Sequence, residues 1–454
     1  MQITSSTGTE VAKFPPARKA WTAVFLLLLV YSLAYIDRQV ISLVVEPMKR
    51  DLQLSDTQLS LLIGVAFSVP YALLGIPAGR YADRSSRKRM IIAAVLLWSL
   101  ATGAMGLAGS FIALFLARMA VGGGEAPLNA CAMPLVTDLF PKEKLGRALG
   151  NYMLGASIGT GATGMIGGSF LPYIMADSWI SVLGIDLRPW QLVFVLLGTL
   201  GLVVAGTTLF VFEPKREQDR TDIGHAATPV REVFGHIRDH WLTYTGVIWP
   251  TSAAAIMVFG ASAWIPTFFI RSYGLDPAEA GAYVRIWGAV ALASGITGVL
   301  LGGALTDYLA KRYLDGYARA LTIGIALALP GYGLFTLMPS PEAALIMFAL
   351  APLGSGILQA ASATSIMLLT PNRMRSQVAA VFFLIVTIIG SLIGPTVIAA
   401  MTDYIYGYEG ALRYSISTVA LVSLGTALVL LLFIRPAYRA SAIRIAETES
   451  AGRS

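Results

Sequence analysis

Four ionisable side chains lie where charge is hardest to accommodate. Asp37 and Arg38 sit side by side in an apolar run over residues 20–45, and Arg118 and Glu125 share another over 111–136. On insertion scales each such charge costs about 3 kcal/mol at the centre of a membrane span. These residues are tolerated where they face a protein interior or a watery cavity and pair with one another. Two chemistries suit them. A carboxylate whose proton affinity changes as water and a guanidinium come and go can carry a proton. A guanidinium can hold a carboxylate or a phosphate in a two-point fork. The plainer alternative is a set of inert ion pairs that only fix helix packing, but charge inside a span marks function by default.

Spacing brings the four together. Arg118 and Glu125 are about two helical turns apart and so share a face. Gly122-Gly123-Gly124 between them allows a neighbouring helix to come close. Asp37 and Arg118 each lie about eight residues from the same end of their runs, at ~1.5 Å per residue. They are expected to meet, with Arg38 and Glu125 competing for them.

The elements that must position these groups are membrane helices. The chain has 454 residues, 56% hydrophobic and 13% charged, against about a quarter charged in soluble domains. Apolar runs fall at 20–45, 57–79, 90–109, 111–136, 145–174, 190–212, 241–270, 279–305, 319–338, 342–369, 376–402 and 410–434. Each is near or above the ~20 residues needed to cross a bilayer. Lys and Arg crowd alternate connections, such as Arg84, Arg87, Lys88 and Arg89, or Lys142, Lys144 and Arg147. That bias accounts for the net charge of +7 without nucleic acid and places both termini in the cytoplasm. The polar start leading directly into a full span argues against a cleavable signal peptide.

The expected organisation is an all-α membrane protein of twelve transmembrane helices in two pseudo-symmetric six-helix bundles. A cytoplasmic tail covers 1–19, the bundles 20–212 and 241–435, an inter-domain loop 213–240, and a second cytoplasmic tail 436–454. Within the loop, Pro229–His240 reads equally as an amphipathic surface helix or as a solvated linker. Internal duplication shows in Gly79–Asp83, echoed by Gly303–Asp307, and in Phe140-Pro141, echoed by Thr370-Pro371.

The segment Gly79-Arg-Tyr-Ala-Asp83-Arg84-Ser-Ser86-Arg87-Lys88-Arg combines a glycine for close helix approach, an aspartate able to face a helix N-terminus, and arginines able to bridge carboxylates at the rim. It resembles the signature loop of the major facilitator superfamily, Gly-x-x-x-Asp-(Arg/Lys)-x-Gly-(Arg/Lys)-(Arg/Lys), with Ser86 in place of the second glycine and a turn expected to be less tight. The resemblance covers essentially the whole chain and implies two six-helix domains that rock about a central cavity. Tyr35-Ile36-Asp37-Arg38 and Arg118-x-x-x-Gly-x-Gly-Glu125-Ala126, with the line on to Asp138-Leu139-Phe140, resemble the Spinster-like group more closely. The Asp-Arg pair is shared with anion and cation symporters. The Spinster resemblance implies transport of lysolipids or sphingosine phosphate, proton coupling at Asp37 and Glu125, and Arg38 and Arg118 as their partners or as contacts to a substrate headgroup.

Other polar and aromatic positions are expected to line the cavity: Asn129, Asn151, Tyr152, Trp264, Thr267, Gln359 and Phe383. Glycines at 155, 159, 161, 164, 167 and 168 read first as a close packing face. The second half has no mid-span acids, so an amphiphile would set its headgroup at Arg38 or Arg118 and its tail against the second half. A carrier of small organic anions or drugs is the runner-up. A membrane-embedded lipid-modifying enzyme is disfavoured, because no span holds a His-x-x-x-x-Asp, His-Glu-x-x-His or serine–histidine arrangement. The glycine triplet lacks the Lys-Ser/Thr of a phosphate loop. One cysteine, Cys131, and three histidines, His225, His236 and His240, all in one loop, make a metal site improbable. The expected partners are a small amphiphile, protons and the lipid bilayer, with no cofactor. The chain is expected as a monomer in a bacterial inner membrane.

Overall fold

The structure is a computed structural model that describes residues 14–82, 84–182, 184–214, 230–370 and 374–451. The first half is built from α1 (Ala17–Val40), α2 (Val45–Leu52), α3 (Asp56–Ile63), α4 (Val65–Ala82), α5 (Arg87–Met105), α6 (Phe111–Glu125), α7 (Pro127–Leu139), α8 (Lys142–Ala162), α9 (Gly168–Ile174) and α10 (Pro189–Thr208). The short α11 (Val230–Asp239) leads into the second half. There follow α12 (Trp241–Tyr273), α13 (Pro277–Arg312), α14 (Gly316–Leu334), α15 (Pro341–Phe348), α16 (Leu350–Leu369), α17 (Arg375–Ile388), α18 (Gly394–Ala400) and α19 (Leu412–Ala451).

Several of these helices run on as one membrane span. α6 continues into α7 at Ala126-Pro127, and α8 passes through the π-helical turn Thr163–Gly167 into α9. Among the described residues eleven helices are long and apolar enough to cross a membrane. The twelfth expected run lies over α8 to α9. Its polar first turns and its many glycines keep it below the apolarity of the others.

The halves are packed alike. In the first, α1 lies on α8, α4 on α6, and α5 on both α6 and α10. In the second, α12 lies on α18, α13 on α16, and α14 on both α16 and α19. These are the same partnerships six spans later, which is what internal duplication requires.

Two connections carry structure of their own, the first unexpected and the second one of the two forms expected of its segment. Strands β1 (Ile180–Val182) and β2 (Ile185–Leu187) form an antiparallel hairpin, with Ile180 opposite Leu187, between α9 and α10. The 213–240 segment carries the amphipathic α11, whose His236 ring meets the Leu369 carbonyl at 3.3 Å. Most of that segment, with residues 1–13 and Asp83, lies outside the described residues.

Candidate functional site

The centre of the first half gathers all four intramembrane charges. Helix α1 carries Asp37 and Arg38 near its end, and α6 ends on Glu125. The glycine triplet makes the approach possible. A methyl group on Gly122 would collide with the Phe67 backbone of α4, and one on Gly124 would come within 3.0 Å of Trp98 on α5. Glycine here draws α4 and α5 tightly around the acid.

Two ion pairs form, and they differ in quality. Arg38 Nε donates to Glu125 Oε2 at 2.7 Å, and Arg38 Nη2 lies at the same distance from that oxygen. The Arg118 guanidinium stands 3.7 Å from Asp37 Oδ1. Arg118 spends its donors instead on the backbone of α1, reaching the carbonyls of Asp37 and Arg38 at 3.4 Å each. Asp37 is held at its other oxygen by Thr102, whose Oγ1 donates at 2.5 Å from α5. Asp37, Arg118 and Glu125 are fully buried, and the Arg38 side chain retains 15% exposure. Glu125 Oε1 and Asp37 Oδ1 make no hydrogen bond. A buried acceptor without a donor is costly. A proton placed on either carboxyl would turn it from a two-oxygen acceptor into a donor as well.

Arg38 also lies among aromatic rings. Its Cζ is 5.0 Å from the centroid of Tyr35, 4.7 Å from Phe67 and 4.9 Å from Tyr71. Such contacts stabilise a guanidinium by about 0.5–2 kcal/mol each, more when water is excluded. Behind them, Tyr152 donates to Asn129 Oδ1 at 2.6 Å, and Asn129 Nδ2 donates to the Tyr71 hydroxyl at 3.3 Å. Tyr31 stacks on Tyr152 at 4.7 Å. This chain ties α1, α4, α7 and α8 to the cage around Arg38.

The remaining candidates scatter. Asn129 belongs to that network, and Tyr152 is buried within it. Asn151 is half-buried and donates to its own helix at the Arg147 carbonyl. Trp264 and Thr267 are packed inside α12, Trp264 donating to the Pro395 carbonyl at 3.3 Å. Gln359 and Phe383 are exposed.

At the basic end, Arg87 pairs with Asp138 at 2.5 Å, and its backbone N–H donates to Glu213 at 2.7 Å. Ser86, where the signature has glycine, caps α5 by accepting from Arg89 N and donates to Glu213 at 2.5 Å. Arg84 is exposed and Lys88 half-buried. The expected close approach at Gly79 is not found. A methyl group there would touch only Ala130 Cβ at 4.0 Å, so helix contact does not demand glycine in this arrangement.

A second charge cluster was not anticipated. At the end opposite the basic loops, Arg271 of α12 donates to Asp56 at 2.6 and 3.0 Å and to Glu46 at 2.6 Å. Lys49 bridges Asp56 at 2.8 Å and Glu409 at 2.6 Å. The N–H and hydroxyl of Thr57 both donate to Asp403, at 2.8 and 2.7 Å. Each of these networks joins the first half to the second. The groups sit at span ends, where charge is common, so nothing in their spacing marked them out.

Repeated helical halves around a charged centre, joined by ion pairs at one end, are an architecture of secondary transporters. The profile of the Major Facilitator Superfamily matches residues 27–388, and the chain belongs to that family. Its fold is Spinster-like. It is similar to a crystal structure of a bacterial homolog to the human lysosomal transporter Spinster, inward-facing and unoccupied, with TM-score 0.76 and 25% identity over 95% of this chain and 99% of that one. Among curated proteins it is 28% identical over 400 residues to an MFS-type efflux pump of Mycolicibacterium smegmatis, covering 87% of each. It is 26% identical over 300 residues to a probable L-galactonate transporter of Escherichia coli, covering 64% of this chain and 62% of that one.

Proposed function

We propose that the protein is a proton-coupled secondary transporter of an anionic or zwitterionic amphiphile, a lysolipid or sphingoid phosphate. The observation that carries this reading is the state of Arg38. Its guanidinium is bound on one side by a buried carboxylate, faced by three aromatic rings, and partly exposed. A substrate phosphate or carboxylate competes with Glu125 for it, and a proton on Glu125 frees it. Asp37 and Glu125 act as proton carriers. Arg118, anchored on the α1 backbone, holds Asp37 in reach.

Transport proceeds by rocking of bundles 20–212 and 241–435, with residues 213–240 linking them. Both termini lie on the cytoplasmic side of a bacterial inner membrane, so the end closed by Arg271 faces outward. The protein works as a monomer without a cofactor.

A small organic anion is the second reading, because a relative is a probable L-galactonate transporter. Reconstituted vesicles under an imposed pH gradient decide between them. Uptake of radiolabelled lysophosphatidate, without chemical change and abolished by collapsing the gradient, is expected. Uptake of galactonate alone would move the assignment to sugar acids, and chemical conversion of the lipid would point to an enzyme.

A further inference from the structure

A small cavity of about 10 Å³ lies in the seam between the halves. That is room for one water or one hydroxyl group. Its polar lining comes from Gln39 and Ser42 after Arg38 on the first span, Thr160 and Thr163 on α8 and the π-helical turn, and Trp287 on α13. π-helical turns recur at functional sites. The helices meet tightly beside it: a methyl group on Gly164 would come within 2.9 Å of Gly288 Cα.

The hydrogen-bonding capacity of the lining is specific. Ser42 donates its hydroxyl proton to the Gln39 carbonyl at 2.7 Å, Thr160 to Ala156 at 3.0 Å, and Thr163 to Gly159 at 2.9 Å. Their oxygens are therefore left as acceptors. Trp287 is 6% exposed, and its indole N–H is buried with no acceptor in the protein. Hydroxyl acceptors, a Trp287 N–H left unused and a Gln39 carboxamide able to give or take suit a small group that both gives and takes a hydrogen bond. A carboxylate has no proton for the Ser and Thr oxygens, an ammonium has no lone pair for the indole, and a methyl group satisfies neither.

We infer that this pocket is a subsite for a hydroxyl group of the transported anion, completed only when the two halves meet. The inference rests on the reading that Arg38 holds the anionic group. Ser42 follows Arg38 by four residues, in the 3-10 turn Ile41–Leu43 that extends α1, roughly 7 Å further along the axis. A hydroxyl a few bonds from a phosphate or carboxylate spans that interval. Glycerol-based lysolipids and sugar acids share this chemistry. Because Pro266, Val284 and Trp287 come from the second half, a hydroxyl bound here favours closure of the far side.

The test is equilibrium binding to the purified full-length chain of two matched pairs: lysophosphatidate with its 2-deoxy analogue, and galactonate with hexanoate. The expected result is a preference of about tenfold for the hydroxylated member of one pair. Which pair shows it separates lysolipid from sugar acid. Trp287→Phe keeps the ring and removes the donor; it should cut the preference to within about twofold while leaving the deoxy ligand's affinity unchanged. Thr163→Val, which removes an acceptor, should do the same and serves if the Trp287 variant does not fold. Arg38→Gln should weaken both members of the pair equally. An unchanged preference in the seam variants, or none in the wild type, overturns the subsite and leaves the anion reading standing. Binding insensitive to Arg38→Gln, or no binding of any probe, overturns the anion reading and the subsite with it.

Discussion

The centre of the first half and the far end of the molecule each hold carboxylates facing cations, yet they are wired differently. At the centre, Asp37, Arg38, Arg118 and Glu125 all belong to the first half, and their bonds stay within it. At the far end, Arg271 belongs to the second half while Asp56 and Glu46 belong to the first. The central carboxylates each keep an oxygen without a donor. Asp56 has both oxygens occupied, by Arg271 and Lys49. A rigid-body rotation of one half against the other leaves the central pairs intact and must break the far-end ones. On the proposed function the centre answers to a proton or an anion, and the far end holds one conformation. Charge count alone does not separate these roles; the halves each bond connects do.

The largest expected effect is at the centre. Glu125→Gln should abolish pH-driven uptake in proteoliposomes while leaving substrate binding measurable, and unchanged flux would remove Glu125 from the coupling. Next comes Arg271→Ala. Its side chain is 6% exposed and that of Asp56 is 1%. Removing one partner of a buried pair costs about 3 kcal/mol or more, so closure at the far end should weaken by at least a hundredfold. Labelling of a cysteine introduced at that end would read it.

Asp37→Asn should cost more transport than Asp37→Glu, and equal activity would discard its pairing with Arg118. Thr102→Val removes one hydrogen bond to a charged group, worth about 1.5–3 kcal/mol, and should lower uptake by roughly tenfold or more. The smallest effect belongs to Glu409→Gln. Glu409 is 62% exposed, and such pairs are worth about 0–1 kcal/mol and fade with salt, so transport should change less than about fivefold.

The difference between the clusters also explains what was legible in the sequence. Asp37, Arg38, Arg118 and Glu125 stood out because charge within an apolar run is costly, and helical spacing placed them on facing surfaces. Lys49, Asp56, Arg271 and Glu409 lie at the ends of runs, where charge is ordinary. Their partners are up to 360 residues away in the chain, a relation that no local period encodes. Thr102 was invisible for a related reason, since one threonine in an apolar helix carries no signal until its partner is known. Of the fold, the helical runs were legible from apolarity and loop charge, and the repeat from the motif at Gly79–Asp83 echoed at Gly303–Asp307. The extension of α13 to Arg312, beyond the apolar run ending at 305, was not, because its last turns are amphipathic. Nor was the hairpin over Ile180–Leu187, whose strands are too short for a period-2 pattern to show.

The most direct test of this division is one distance. Spin labels at Gln53 and Tyr408, exposed at the far end on opposite halves, report its opening in Arg271→Ala and Glu125→Gln proteins at the same pH. A dominant longer distance is expected in Arg271→Ala, and a closed, wild-type-like distance in Glu125→Gln. A far end that stays closed without Arg271, or that opens as fully when only Glu125 is changed, would contradict the division.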